Sequence, residues 1–443
     1  MEYVADLHLH SKYSRAVSPS MTLENMAFWA SKKGLDILST GDWTHPLWIR
    51  EIKQRLEEAE QGLFKLKNDN SKMRFLLSTE ISSIYTQKGK AHRIHNLVFS
   101  PNIEVCEKIN AELRKRGCNL NSDGRPIIGL SSEALCELVF SISDKAMIIP
   151  CHIWTPWFSL YGSNSGYDFI KDCFGEFTNQ IYGVETGLSS DPYMNWQIKE
   201  LDNRSILSFS DAHSLPKMGR EATVFVPKNE VSKINYDDIR FAIMQDKKAK
   251  LKIGYTIEFY PEEGKYHYNG HRNCNYVQTP DKTRIEGTIC PVCKRQLTVG
   301  VMHRVEDLAK QGFKKEISKL NPNGVKWIID PNKIHPPFVK LVPLNEIIAE
   351  AISSSVSSQK VKDLFDKLCL TFGSELNVLL KVPKADIAKV SDGKIAEGVE
   401  KVRRGDIVIL PGFDGQYGIV KIWQEKELSQ KENNISSQLG IDF

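Results

Sequence analysis

The stretch that most narrows what this chain can fold into is Ala5-Asp6-Leu7-His8-Leu9-His10-Ser11. An apolar lead, Tyr3-Val4-Ala5, runs into two histidines two apart. In a strand, residues i and i+2 point the same way, so both imidazoles leave one face at the strand's carboxyl end. Neutral imidazole is the commonest protein metal ligand, and two together make half a site. An edge strand with two surface histidines would read the same way, so the rest of the chain has to decide. It repeats the pattern. Residues 35–40 are apolar and run into Gly41-Asp42, and residues 75–79 end on Glu80. Residues 94–99 open on His95, and residues 146–151 end on His152. Residues 181–184 end on Glu185, and residues 205–210 end on Asp211 and His213.

Between these strands lie helical periods. Residues 21–33 carry Leu23, Met26, Ala27 and Ala30 on one face, with Thr22 as N-cap and Gly34 as terminator. Residues 49–66 read as a second helix. Alternating short strands and helices predict an α/β barrel, whose catalytic groups sit at the strands' carboxyl ends. His8, His10, Asp42, Glu80, His152, Glu185, Asp211 and His213 all fall there. His95 fits only if its strand enters from the site side. Together these residues predict a polynuclear metal site, with Glu80, Asp211 and His213 at its chemical centre. Clustered divalent metals lower the pKa of bound water and neutralise phosphate charge, which suits hydrolysis of a phosphate ester.

At 443 residues the chain exceeds one ordinary core. We expect a barrel over 1–230, a connector over 231–263, a metal module over 264–305, a helical domain with a β-hairpin over 306–424, and a flexible tail over 425–443. No apolar run approaches a membrane span and no secretory signal opens the chain, so the expected location is cytoplasmic, with no membrane partner. The nine cysteines then need a reason other than disulfides. Three cluster in His271-Arg272-Asn273-Cys274 and Cys290-Pro291-Val292-Cys293, an HxxC…CxxC spacing that predicts structural Zn2+. His267 and His303 lie close enough to compete for the fourth place. Aromatics interleaved with cations around these ligands suit stacking on unpaired bases; an ordinary charged zinc-ribbon surface would look alike. Net charge is only +4 and by itself argues nothing about nucleic acid. Further on, residues 344–352 and 361–372 read as helices, Arg403-Arg404 as a candidate phosphate contact, and residues 407–422 as a hairpin.

The front of the chain resembles the PHP domain, a distorted seven-stranded barrel with a trinuclear metal centre. The resemblance rests on Asp6-Leu7-His8-Leu9-His10, Ser78-Thr79-Glu80 and Ser210-Asp211-Ala212-His213, with His95 and His152 as its isolated histidines. It implies that Glu80 bridges two metals, His8, His10 and Asp211 completing one and His95 and His152 the other, while His213 serves a third. Two positions depart. Thr40-Gly41-Asp42-Trp43 lacks the family's histidine, for which Asp42 or His45 would substitute. Ala16 or a neighbour stands where another histidine is expected. The cofactors implied are two or three divalent ions, Zn2+, Mn2+ or Mg2+. Lys12, Arg15 and Arg93 lie beside the site in sequence and would either hold a phosphate or form an ordinary solvated face.

Barrel, HxxC…CxxC knot, Val402-Arg403-Arg404-Gly405 and Pro411-Gly412-Phe413-Asp414-Gly415 in that order resemble the endonuclease Q family over nearly the whole chain. That resemblance implies incision of DNA 5′ to hypoxanthine, uracil, xanthine or an abasic site, with the lesion flipped into a pocket. Trp43, Trp48, Trp154 and Trp157 flank the ligand strands and are candidates to stack on it, with core packing the favoured reading for any one of them. The rivals are a phosphomonoesterase of the histidinol-phosphatase type and a non-catalytic DNA-binding subunit. Finally, Gln438-Leu439-Gly440-Ile441-Asp442-Phe443 resembles the hexapeptide by which bacterial proteins bind the β sliding clamp. Gln438, Leu439, Ile441 and Phe443 would make the contact in a bacterial protein; a tail folded onto its own domain is the alternative.

Overall fold

The computed structural model describes residues 2–309 and 316–424. Tyr3–Asp6 pairs parallel with Ile37–Ser39, which pairs parallel with Arg74–Gln87. Lys90–Ser100 runs antiparallel to Arg74–Gln87 and to Met147–Pro150, so His95 does enter from the opposite direction. Gly183–Glu185 and Ser205–Leu207 form a separate parallel pair. The pair is tied to its neighbours by single contacts, from Ile153 N–H to the Glu185 carbonyl (3.1 Å) and by a bridge between Leu9 and Ala212. Seven strands thus follow one another in a mixed α/β layer whose ladder stays open on both sides of that pair.

The strands share an apolar filling. Ala5, Ile37, Leu76, Leu97, Ile149 and Leu207, from six of these strands, belong to one buried cluster. Helix Tyr236–Ile243 adds Tyr236, Ile239 and Ile243 to it. The main sheet also continues outward from Tyr3–Asp6 through Ala222–Pro227, Leu251–Glu258 and Phe338–Lys340. It therefore passes the expected boundary at residue 230 without a break.

Local chemistry explains the element ends. Thr22 accepts from Asn25 N–H to start helix Leu23–Lys33, and Gly34 closes it at φ 87°. The helix expected over 49–66 is wrong in its second half. Helix Pro46–Arg55 stops, and Leu56–Glu60 and Leu63–Leu66 form a hairpin laid on Arg74–Gln87. Gly62 makes that turn at φ 71°, and a Cβ there would lie 2.5 Å from Tyr236.

Helices Leu344–Ala351, Gln359–Phe372, Glu375–Leu380, Lys384–Val390 and Gly393–Arg404 make the C-terminal bundle. Hairpin Val408–Leu410/Ile419–Lys421 follows, as expected. A buried ion pair, Lys33 to Glu375 at 2.6 Å, joins the bundle to the front of the chain. Arg403, expected at DNA, is instead 3% exposed. Its guanidinium donates to the carbonyls of Val378, Leu379, Val382 and Asn323, so it ties helix ends together. Arg404 stays on the surface beside Glu400. The tail with Gln438, Leu439, Ile441 and Phe443 lies outside the described residues.

Candidate metal centre

Glu80 organises the site. Its Oε2 lies 3.2 Å from His10 Nε2 and 3.6 Å from His8 Nε2, and its Oε1 lies 2.5 Å from His95 Nδ1 and 3.3 Å from His152 Nε2. Asp211 Oδ1 joins the first group, 3.1 Å from His10 Nε2. Two sets of ligand atoms result, His8/His10/Glu80/Asp211 and Glu80/His95/His152, each within 4.8 Å of one another. They share Glu80, whose side chain is fully buried.

The donor set fits divalent cations. His8 Nε2, His10 Nε2 and Asp211 Oδ1 are buried without any in-line hydrogen bond, because their lone pairs converge on one space rather than on each other. Burial should push Glu80 up, but His95 and Arg125 beside it hold it well below the ordinary carboxylate range. Burial presses His95 down to about 4, leaving a neutral imidazole free to coordinate. His8 and His10 are raised despite burial, by Glu185 with Asp211 and by Asp42 respectively. Four carboxylates gathered on these imidazoles raise the pKa of His8, His10 and His152, and divalent cations would take the place of the protons those rings hold.

Two expected ligands stand one step back. Asp42 accepts from His10 Nδ1 at 3.0 Å, and its other oxygen takes the Ser11 amide and the hydroxyls of Ser11 and Ser14. Glu185 accepts from His8 Nδ1 at 2.8 Å and from the His152 amide at 2.8 Å. Each carboxylate thus grips the far nitrogen of an imidazole and aims its Nε2 inward, a geometry that fixes the tautomer and strengthens the ligand. His213 is at the rim, with Nδ1 2.8 Å from the Asp211 carbonyl and its ring 4.8 Å from that of His10. His45 faces away, stacked on Tyr13 at 4.6 Å.

Beside Glu80 opens a cavity of about 610 Å3 lined by Arg15, Arg93, Arg125, Trp157, Phe158 and Tyr266, with His95 and His152 in its wall. Arg15 and Arg93 therefore lie where a phosphate contact was expected, whereas Lys12 is turned to Glu51 at 3.0 Å. Of the four tryptophans only Trp157 reaches the cavity, 36% exposed and 5.6 Å from Tyr266. Trp43 and Trp48 are fully buried. Trp154 is 1% exposed, donates to Asn195 Oδ1 and packs on Tyr161, so it is core and not a base platform. Arg125, whose Nη1 donates to Glu80 Oε2 at 3.1 Å, was missed by sequence reading. It sits in a loop with no spacing relation to any ligand strand.

A second cluster stands in the segment 264–305. His271, Cys274, Cys290 and Cys293 bring four ligand atoms within 4.8 Å of one another, with Cys293 Sγ 3.2 Å from His271 Nδ1. The alternatives are elsewhere: His267 lines a different cavity, and His303 lies in helix Val301–Ala309, 3.7 Å from Asp307.

A carboxylate shared between two imidazole groups, on and beside neighbouring strands of an α/β sheet, fits a metal-dependent phosphoesterase. The crystal structure of the lesion-specific endonuclease Q of Pyrococcus furiosus matches with a TM-score of 0.79 and 30% identity, over 97% of this chain and 99% of that one. An endonuclease Q complexed with a 27-mer duplex substrate, an abasic lesion at its active site, matches with the same TM-score of 0.79, at 31% identity over 96% and 98%. The chain belongs to the endonuclease Q family. Residues 343–406 match the family described as the MJ0043 C-terminal domain. The uncharacterized protein MJ0043 of Methanocaldococcus jannaschii is 31% identical over 315 residues, and the chain spans 36% of its length.

Proposed function

We propose that this chain hydrolyses the DNA phosphodiester 5′ to a deaminated base (hypoxanthine, uracil or xanthine) or an abasic site. The observation that carries the reading is Glu80, set between two imidazole groups and separated from an arginine- and aromatic-lined cavity only by its partners His95, His152 and Arg125, which line it. His8, His10, Glu80 and Asp211 would hold one divalent ion and Glu80, His95 and His152 a second, with His213 serving a third. Zn2+, Mn2+ or Mg2+ bound there would lower the pKa of a water and neutralise charge on the phosphate oxygens. Asp42 and Glu185 keep His10 and His8 aimed. The strands form the distorted seven-stranded barrel of the PHP domain. A lesion nucleotide extruded from the duplex enters the cavity, its base or sugar against Trp157 and Tyr266, its phosphate among the arginines. A base without a proper partner is the cheapest to extrude, which gives selectivity before chemistry begins.

The His271/Cys274/Cys290/Cys293 cluster holds structural Zn2+, because four protein ligands leave no open position for water. The terminal hexapeptide tethers the enzyme to a bacterial β-type sliding clamp through Gln438, Leu439, Ile441 and Phe443, raising its local concentration on DNA.

The central test is a nicking assay. A labelled duplex with one abasic site, uracil or hypoxanthine is incubated with the protein and Mg2+ or Mn2+. A single cut on the 5′ side of the lesion is expected; a strand left intact at stoichiometric protein overturns the reading.

A further inference from the structure

We propose that Arg125, hydrogen-bonded to Glu80, binds the phosphate at the cut. The inference rests on the nuclease reading of the site and adds a residue to it.

The loop carrying Arg125 is fixed from several sides. Asp123 Oδ1 accepts from the amides of both Arg15 and Arg125, each at 3.2 Å. Gly124 donates to the Tyr13 carbonyl at 3.0 Å and accepts from Thr44 Oγ1 at 3.1 Å. Ser82 N–H reaches the Pro126 carbonyl at 3.0 Å. Gly124 also lies flat on the carboxylate that aims His10. A Cβ there would collide with Asp42 Oδ2 and Ser14 Oγ, so only glycine admits this approach. The loop is thus built onto the imidazole-aiming layer, and Arg125 follows immediately.

From there the guanidinium spans two environments. One N–H group donates to Glu80 Oε2 at 3.1 Å, on the oxygen shared with His8 and His10. The side chain is 27% exposed and lines the cavity together with Arg15 and Arg93. A guanidinium has five N–H donors in a rigid planar fork, which matches two oxygens of a phosphate. With one donor committed to Glu80, the others are available to an anion entering the cavity. Arg15 is poorly suited to that role, since its side chain is 74% exposed and already paired with Asp123 at 3.6 Å. Arg93 stands over the Phe158 ring at 5.5 Å, further along the wall. Arg125 is therefore the cation that touches both the bridging carboxylate and the space a phosphate would fill.

The test compares Arg125→Gln and Arg125→Lys with the wild type. Metal content of the purified proteins, calorimetric binding of inorganic phosphate to the metal-loaded proteins, and kcat and KM on the abasic duplex are measured. Arg125→Gln should keep wild-type metal content, bind inorganic phosphate at least about tenfold more weakly, and lose about 100-fold in kcat/KM. Arg125→Lys should recover part of the phosphate binding but little of kcat, since an ammonium supplies charge without the fork. Unchanged phosphate binding in Arg125→Gln overturns the proposal. So does a fall in activity that tracks lost metal or lost folding in both variants while phosphate binding per folded protein stays unchanged. The calorimetric readout does not depend on which ester is cut. A wild type that binds phosphate through Arg125 yet leaves DNA intact would refute the nuclease reading and spare this one.

Discussion

Asp42, His152 and Asp211 have φ of 48°, 28° and 46°, a region that non-glycine residues seldom occupy. Each follows a strand end, where the chain turns sharply so that a side chain returns to the centre. Such strain persists where the surrounding structure over-determines it, and it gathers at functional sites. Asparagine tolerates the left-handed region far better than a β-branched residue. Asp211→Asn should therefore keep the wild-type thermal midpoint in the metal-loaded protein and lose on the order of 100- to 1000-fold in nicking rate. Asp211→Val should lose the activity and also about 1–2 kcal/mol of stability. Thermal melts and single-turnover nicking of both variants check this, and full activity in Asp211→Asn would remove that residue from the site. His8, His10 and His152 were legible in sequence because their type and their place just past strand ends agree. Glu80 and His95 were legible by type, but they lie inside the long strands Arg74–Gln87 and Lys90–Ser100 rather than at an end and a start. The position of Asp42 and Glu185 was legible and their role was not. Spacing brings an acid to the rim but cannot tell one aimed at a metal from one aimed at the far nitrogen of a histidine.

At the scale of elements, helix 23–33 and the last hairpin could be read because their caps and turns are local. Residues 56–66 misled because Leu56, Leu63 and Leu66 also fit a helical period, and only pairing with Leu76 and Phe75 makes them strands. The clustering of His271, Cys274, Cys290 and Cys293 was legible from spacing alone, since the four lie in two short segments. What spacing does not reveal is its support. Asp414, in the turn of the C-terminal hairpin, accepts from Arg272 N–H at 2.7 Å and from Thr298 Oγ1 at 2.6 Å. Phe413 packs against Gly270, where any side chain would collide with its ring. Cys290→Ser should then release both pieces. Limited proteolysis should cut within 264–305 and at 411–418, and DNA affinity should fall about tenfold or more, while metal binding at the Glu80 site stays unchanged. Full protease resistance and unchanged DNA binding in this variant would show the knot to be dispensable.

Over the whole molecule, sequence divided what the sheet unites. Thr256 pairs with Phe338 and Val224 with Tyr255, and contacts between residues so far apart leave no periodic trace in the chain. The tail is the opposite case, legible as a short motif and lying outside the described residues. Tethering through it, as proposed, would change where the enzyme is rather than what it does. Deleting residues 438–443 should abolish binding to a bacterial β clamp in a pull-down and leave nicking of a short duplex unchanged; clamp binding by the truncated protein would rule the motif out. The support of the Cys/His knot by Asp414 has one more consequence, in the order of synthesis. A ribosome adds about 5–20 residues per second, so Cys293 emerges on the order of ten seconds before Asp414 does. During that interval the four ligands are made and the turn that braces them is not. The nascent knot must capture its ion unaided, or stay open to competing metals and oxidants until the last tenth of the chain arrives to close over it.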